Sequence, residues 1–468
     1  MRRPLSLTAA ATPLLMLILA AMLSVFIWDT GMHIPLLVGT IAAAIVAVFH
    51  GWKWKEVEKM MANGVSRALP AIFILLIIGT IIGTWIASGI IPTIIYYGLS
   101  MIHPSWFVPV ASIITGIVSI TLGSSFTSIA TIGIAFMAIG DGLGFSPGLV
   151  AGAIISGAFF GDKLSPASDT TNIASVMAET DLFSHVKHML WDTLPAFFIT
   201  IMFYGIISNS DNVIGTVDTS VITELKTGLT NAFVIHPLLL LIPVLAIILL
   251  AMRTPAIPAL IGISMLGAIL AIPVQKYAVG DIVQIMTNGF TKESGSADLD
   301  ALLHHGGLLS MMDTIGLIIL ATALGGVLEK TGAFEAITRR AIDKIKTTGS
   351  LITATILSTF IVALASGEQY LSNILPARTF VQKYKDMRLA TKNLSRCTEA
   401  AGTVGITLVP WSIPTVFAAN IFHLNPGQFL PFAFFVFLVP LINILFGFTG
   451  WTIAVTYNTA YRKNENAG

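Results

Sequence analysis

An apolar stretch is interrupted by Asp162-Lys163-Leu164-Ser165-Pro166-Ala167-Ser168-Asp169-Thr170-Thr171-Asn172. Carboxylates are costly inside a span unless paired or hydrated, so charges placed there point to function. Pro166 cannot donate an N–H to the carbonyl of Asp162 four residues earlier, which breaks the helix and frees a backbone oxygen. Ser165, Ser168, Thr170, Thr171 and Asn172 add hydroxyl and amide oxygens beside the break. Hard cations such as Na+ take ligands of this kind, so Na+ is expected at Asp162, Asp169 and Thr170. The competing reading is a water-exposed loop whose Ser and Asp residues cap helices; the apolar flanks weigh against it.

A second broken segment, Ser395 to Pro414, carries Arg396 and Glu399 ahead of glycines and prolines, with Thr403, Thr407 and Ser412 following. Arg396 and Glu399 are three apart and can share a helix face. They are read either as a structural ion pair or as a cation for an anionic substrate group beside a coupling carboxylate. Lys163 is the other candidate to receive a substrate carboxylate. Two hairpin tips complete the set: Ser124, Ser125, Thr127 and Ser128 in the first half, Ser366 and Glu368 in the second. Small hydroxyl residues let backbone unwind toward a cavity, or simply let helices pack closely. Asp192 and Asp313 are read as helix-start caps. His33, His103 and His236 form no ligand cluster.

The elements that must position these groups follow from composition. Of 468 residues, 55% are hydrophobic and only 10% charged, with a mean hydropathy of +0.86, whereas soluble domains are about a quarter charged. The chain therefore reads as an all-α polytopic membrane protein in contact with lipid on all sides. Spans of about 20 apolar residues fall near 8–28, 33–50, 69–88, 188–209, 234–252, 255–273, 308–328 and 427–455. Punctuated apolar regions lie at 105–140 and 145–183, and again at 350–380 and 394–424. The first span is read as uncleaved, since it is longer than a signal-peptide core and another span follows at once.

The two halves are similar. Lys59 to Arg67 aligns with Gln284 to Lys292, and Ile86-Ala87-Ser88-Gly89 with Glu329-Lys330-Thr331-Gly332, after an insertion in the second half. Segment 87–105 has no Lys or Arg, while its counterpart carries Lys330, Arg339, Arg340, Lys344 and Lys346. Segment 139–155 likewise has none, while its counterpart carries Lys383, Lys385, Arg388, Lys392 and Arg396. Basic loops stay in the cytoplasm, so matching loops face opposite sides, as in inverted-topology repeats. Each repeat is expected to hold about five spans plus a re-entrant or paired hairpin and a discontinuous helix. The units are residues 1–209, an extracellular linker 210–233, and 234–468, with both termini cytoplasmic and the protein in the cell membrane.

Function classes drop out on composition and motifs. A net charge of +1 leaves no basic surplus for nucleic acid, and the single Cys397 cannot build a disulfide framework or a thiolate zinc site. There is no phosphate-binding Gly-Lys-Ser/Thr loop, so an ion gradient supplies the energy. Phe159 stands where a membrane aspartyl protease would need glycine ahead of Gly161-Asp162. A channel would share the polar midplane but lack strict counter-ion dependence. The expectation is a transporter and not an enzyme, with no organic cofactor and a homodimer as a further candidate partnership.

The run from Gly161 to Asn172 resembles the signature of the NhaC family of Na+/H+ antiporters, and the segment 399–414 with Pro410-Trp411-Ser412 is similar too. The resemblance extends over nearly the whole chain. It implies inverted repeats, paired hairpins, a midplane site, and Na+ and H+ as coupling ions. The layout is also similar to bacterial malate–lactate antiporters, which implies H+-malate uptake against Na+-lactate efflux. Plain Na+/H+ exchange is the alternative, and the signature fits both. Burial disfavours a charged carboxylate, so H+ and Na+ compete for it. Asp162 and Asp169, with Glu368 and Glu399 from the other half, are the expected carriers.

Overall fold

A computed structural model describes residues 5–456 except 29, 102–103, 167, 209–218, 253, 294–299, 301–302, 305 and 343–344. His103, Lys344 and residues 210–218 of the expected linker lie outside the described residues. Among the described residues there is no strand, only an isolated bridge between Leu389 and Val455.

The first half begins with α1 (Leu7–Phe26), α2 (His33–Phe49), α3 (Trp54–Ala87) and α4 (Ile90–Met101). A hairpin of α5 (Pro104–Leu122) and α6 (Ser125–Gly142) follows. Then come α7 (Pro147–Leu164) and α8 (Asp169–Met177), broken at Pro166, and α9 (Leu182–Ser208). Beyond α10 (Thr219–Ala232) the order recurs: α11 (Leu241–Ala251), α12 (Ala256–Gln275), α13 (Val279–Asn288), α14 (Met312–Lys330) and α15 (Ala333–Ile342). A second hairpin joins α16 (Thr348–Ser366) to α17 (Gln369–Asp386). A second broken element pairs α18 (Lys392–Leu408) with α19 (Ile413–Phe422), bent by 43°. Short turns over Pro426–Phe432 lead into α20 (Phe434–Thr449).

Eight helices are long and apolar enough to cross a membrane, or up to eleven if each bent pair counts as one span, among the described residues. Large apolar side chains such as Phe49, Phe183, Phe198, Ile206, Ile269 and Phe448 face outward, the surface of a chain dissolved in lipid rather than water. The hairpins are pairs of long helices. Both α5 and α6 are long and apolar enough to cross a membrane, whereas α17 ends in Lys383, Lys385 and Asp386 and is not.

Three expected spans differ: 234–252 holds an 11-residue helix behind a 97° bend, 427–455 is bent by 54°, and 69–88 is longer than expected. The helix drawn at 69–88 starts at Trp54 and runs 34 residues without a break. Its counterpart ends at Asn288, where Gly289 adopts φ +92°. Asn63-Gly64 and Asn288-Gly289 are the same dipeptide in two conformations. A side chain on Gly64 would overlap the carbonyl oxygen of Thr322 on α14, so there the glycine serves helix crossing. In the second half the inserted loop returns through Gly307, whose N–H donates to the carbonyl of Gly79 at 2.7 Å.

The site is framed by α5 lying along α7. Cβ atoms on Gly157 and Gly161 would overlap the carbonyl oxygens of Ser112 and Gly116, the close backbone approach that small residues permit in membranes. Gly157→Ala should therefore destabilise the fold by about 1–3 kcal/mol, as overpacking does. The check is a thermal unfolding midpoint in detergent, and an unchanged midpoint would refute the crossing.

Candidate ion-binding site

Asp162 sits in the last turn of α7, which ends as the chain turns extended at Ser165 (ψ 122°) ahead of Pro166. Three residues beyond Ser165, Ser168 is the N-cap of α8. The hairpin tip meets this break from the side: Gly123 turns the chain at φ +67°, Ser124 caps α6, and Ser125 opens it. The Asp162 carboxylate accepts from the Ser125 N–H at 3.1 Å and the Ser125 hydroxyl at 2.6 Å on Oδ2, and from the Ser168 hydroxyl at 2.6 Å on Oδ1. Ser168 Oγ in turn lies 3.0 Å from Thr170 Oγ1. Asp162, Ser125, Ser168 and Thr170 are all buried, and the N-terminus of α8 adds its partial positive charge beside the carboxylate.

Thr171 joins this cluster to the second half. Its hydroxyl donates to Glu399 Oε1 at 2.7 Å and lies 3.5 Å from the carbonyl of Asp162. Glu399 Oε2 meets His185 Nε2 at 2.8 Å, and Ser395 Oγ meets His185 Nδ1 at 2.8 Å. Glu399 heads a π-helical segment, Ala400–Val404, the kind of local irregularity found at functional sites.

Arg396 does not pair with Glu399, although the spacing allows it. Its side chain runs the other way, where Nη1 donates to Thr452 Oγ1 at 3.0 Å and the guanidinium faces the Phe446 ring at 5.6 Å. Glu399 is already satisfied by His185 and Thr171. Among the described residues, Nε and Nη2 of the fully buried Arg396 have no hydrogen-bond partner. Lys163 is not a free cation either: Nζ pairs with Asp192 Oδ2 at 3.1 Å, both side chains wholly buried. Asp192 is therefore no cap. It lies inside α9, where Asn443 Nδ2 also donates to it at 2.6 Å and Thr193 Oγ1 at 3.2 Å.

Other expected residues stand apart. Asp169 is exposed, with Tyr370 as a hydrogen-bond partner. Asn172 ties the break together by donating to the carbonyls of Pro166 (2.9 Å) and Ser168 (2.7 Å). Ser165 donates to the Ile120 carbonyl at 2.8 Å. The hydroxyls of Thr127 and Ser128 bond back to Ser124, serving the hairpin turn. Glu368 caps its own helix, accepting from the N–H groups of Tyr370 (2.9 Å) and Leu371 (2.7 Å). With Ser366 and Arg67 it lines a cavity of about 10 Å³, room for one water. Thr403 receives Asn373 Nδ2 at 3.0 Å. Of the expected set, Asp162, Ser125, Thr170, Thr171 and Glu399 come together. Sequence alone assigns no role to His185 or His188 and only a cap to Asp192, yet the i, i+3, i+7 spacing of the three marks one polar stripe on an otherwise apolar helix.

Buried charges converging on two broken helices, inside a bundle with an apolar exterior, define a multi-pass secondary transporter. The chain belongs to the Na+/H+ antiporter family, whose sequence profile matches residues 5–171 and 157–451. It is 41% identical to the Na+/H+ antiporter NhaC of Alkalihalophilus pseudofirmus, over 97% of this chain and 99% of that one. It is 36% identical to the malate-2H+/Na+-lactate antiporter of Bacillus subtilis, over 93% of each. A relative in Halobacterium salinarum, the arginine/ornithine antiporter ArcD, is 32% identical over 90% of this chain and 87% of that one. The protein is a secondary active antiporter coupling Na+ and H+.

Proposed function

We propose that the transported Na+ binds at Asp162, with Ser125, Ser168 and Thr170 supplying hydroxyl oxygens, and that a proton competes with it for the same buried charge. The observation that carries this reading is the charge balance of the cluster. Asp162, Asp192 and Glu399 bring three negative charges, Lys163 and Arg396 two positive ones, and all five are buried. One negative charge is left over, so a single Na+ or a single proton neutralises the cluster, while both together overcharge it. Competition of that kind is what an exchanger requires.

The surrounding architecture supports two repeats of opposite orientation: residues 1–209 and 234–468, joined by an extracellular segment, with both termini in the cytoplasm of a plasma-membrane protein. The recurring element order and the basic segments 330–348 and 380–396 agree with this arrangement.

A second reading adds an organic carboxylate. It is favoured by Arg396, a wholly buried guanidinium with two unsatisfied nitrogens, because such a group is costly unless an anion pairs with it. A carboxylate of malate or lactate would supply two acceptor oxygens.

The experiment uses purified protein in liposomes with a pH-sensitive dye inside. Na+, malate and lactate are supplied separately and then together. Proton movement with Na+ alone, retained in Arg396→Gln, establishes simple cation exchange. Movement only with malate and lactate on opposite sides, lost in Arg396→Gln, establishes carboxylate-linked exchange. No proton movement under any combination, from folded protein, would sink the site assignment.

A further inference from the structure

We infer that the transported proton is held on His185, a residue outside the carboxylates considered so far, and that Ser395 is built to let this ring change charge without losing a hydrogen bond. The inference rests on the Na+ assignment to Asp162 and adds the place of the second ion.

His185 is completely buried on α9 and both ring nitrogens are engaged, Nε2 by Glu399 Oε2 and Nδ1 by Ser395 Oγ, each at 2.8 Å. Ser395 has a second partner, the carbonyl of Lys392, at 3.1 Å. A hydroxyl carries one hydrogen and two lone pairs, so this geometry serves two states. With a neutral ring, Nε2–H donates to the Glu399 carboxylate, and the Ser395 hydroxyl donates to the bare Nδ1. With a proton added at Nδ1, that N–H donates to Ser395 Oγ, and the serine hydrogen turns to the Lys392 carbonyl. One N–H bond forms, one hydroxyl rotates, and no buried donor or acceptor is orphaned. Lys392 is half-buried at the start of α18, so the serine lies one step from the rim of the protein.

The charges facing His185 make its protonation an alternative to Na+. The elements packed on α9 are α5, which carries no charge, α7 with Asp162 and Lys163, α8 with Asp169, α18 with Lys392, Arg396 and Glu399, and α20 with neutral Asn443. On α9 itself stand Lys187, His188 and Asp192. Lys163 is neutralised by Asp192, and the buried Arg396, although its Nη1 turns to Thr452, offsets one of the two remaining carboxylates by its charge. The cluster therefore has one negative charge in excess while His185 is neutral. An imidazolium removes that excess, and Na+ at Asp162 removes it equally. Thr171 spans the two positions, donating to Glu399 at 2.7 Å while lying 3.5 Å from the Asp162 carbonyl.

The test is His185→Gln in proteoliposomes, since a Gln amide can donate to Glu399 and accept from Ser395 but cannot take a proton. Two modes are read: Na+-driven proton movement, and exchange of a radioactive Na+ tracer for Na+, which needs no proton. The expected result is a fall of about 100-fold in proton movement, the lower range for a positioned proton-transfer group, with tracer exchange retained and its pH dependence flattened. Retained proton coupling with the wild-type pH profile would overturn the inference, and so would a parallel loss of both modes, which is the mark of a structural role. If the Gln variant does not fold, Ser395→Ala is used. Without an acceptor for Nδ1–H, more protons should be needed to compete with Na+, and an unchanged profile would overturn the inference. Asp162→Asn runs alongside. Tracer exchange surviving in that variant defeats the Na+ assignment and this inference together; its loss there, with coupling intact in His185→Gln, defeats this inference alone.

Discussion

Replacing Asp162 by Asn should abolish Na+-driven proton movement and tracer exchange while leaving a folded protein. The carboxylate accepts from the Ser125 N–H, the Ser125 hydroxyl and the Ser168 hydroxyl. An Asn side chain keeps the same shape. Its oxygen can still take both Ser125 donors, and its NH2 can donate to Ser168, whose hydroxyl is free to turn toward Thr170 at 3.0 Å. Each of the three side-chain contacts keeps a partner, so the fold survives, but the variant has the charge of the permanently protonated site. The cation loses its only unneutralised counter-charge in the cluster. A unit charge pair about 4 Å apart is worth about 4 kcal/mol at an effective dielectric of about 20, and each factor of ten takes about 1.4 kcal/mol. Na+ affinity should therefore drop by about three orders of magnitude. Dye-loaded liposomes measure proton flux, and tracer counterflow measures Na+ exchange. Transport within a few-fold of wild type would place the Na+ site elsewhere.

How much of this could be read from sequence depended on whether the signal was local. The break at Asp162 was legible because Pro166, two carboxylates and a lysine stand in an apolar run, and each has a local physical consequence. The tip at Ser124 and Ser125 was legible from its hydroxyls, although their target was not. Arg396 and Glu399 illustrate the limit. Helical spacing places two side chains on one face, but their partners are set by Thr452 and His185, 56 and 214 residues away in sequence. His185 and Asp192 escaped for the same reason. Asp192 stands well inside α9 and His185 stands among other polar residues of its first turns, so neither type nor spacing names a partner, and only packing against α7 and α18 turns them into ion-pair partners. Asn63-Gly64 and Asn288-Gly289 make the point for the fold. An identical dipeptide runs through a helix where α14 crosses it and ends a helix where an inserted loop follows.

The cluster also joins the two halves of the chain. Asp162, Lys163 and Thr171 come from the first broken element, Glu399 and Ser395 from the second, and α9 lies across both with His185 and Asp192. Movement of one half against the other must therefore pull on these charge contacts. An ion that neutralises the excess charge lowers the cost of that movement, because a net buried charge is expensive to carry through a region without water. Coupling follows from the same term: the empty, charged cluster resists crossing, and either cation releases it.

Lys163→Met should be the most destabilising single change in the cluster, and a second substitution should restore what it removes. The Lys163–Asp192 pair is closed at 3.1 Å with neither side chain exposed. Without the ammonium, Asp192 keeps only Asn443 at 2.6 Å and Thr193 at 3.2 Å, two neutral donors for a full buried charge. Breaking a buried pair on one side costs about 3–5 kcal/mol, whereas replacing both partners with apolar residues is often neutral or stabilising. Lys163→Met combined with Asp192→Leu should therefore recover most of the loss, since Asn443 retains the Val439 carbonyl at 2.9 Å. Transport should follow charge in the same way. The single variant leaves two excess negative charges instead of one, which holds protons more tightly and moves the pH profile of exchange upward. The double variant returns the excess to one, with Asp162 and Glu399 against Arg396, and should bring the profile back. Thermal unfolding in detergent and the pH dependence of Na+-driven proton flux measure the two effects on the same preparations. A single variant as stable as wild type would show that Asp192 is compensated by something other than Lys163. A double variant that regains stability but not the wild-type pH profile would show that the excess charge of the cluster does not set the competition between Na+ and the proton.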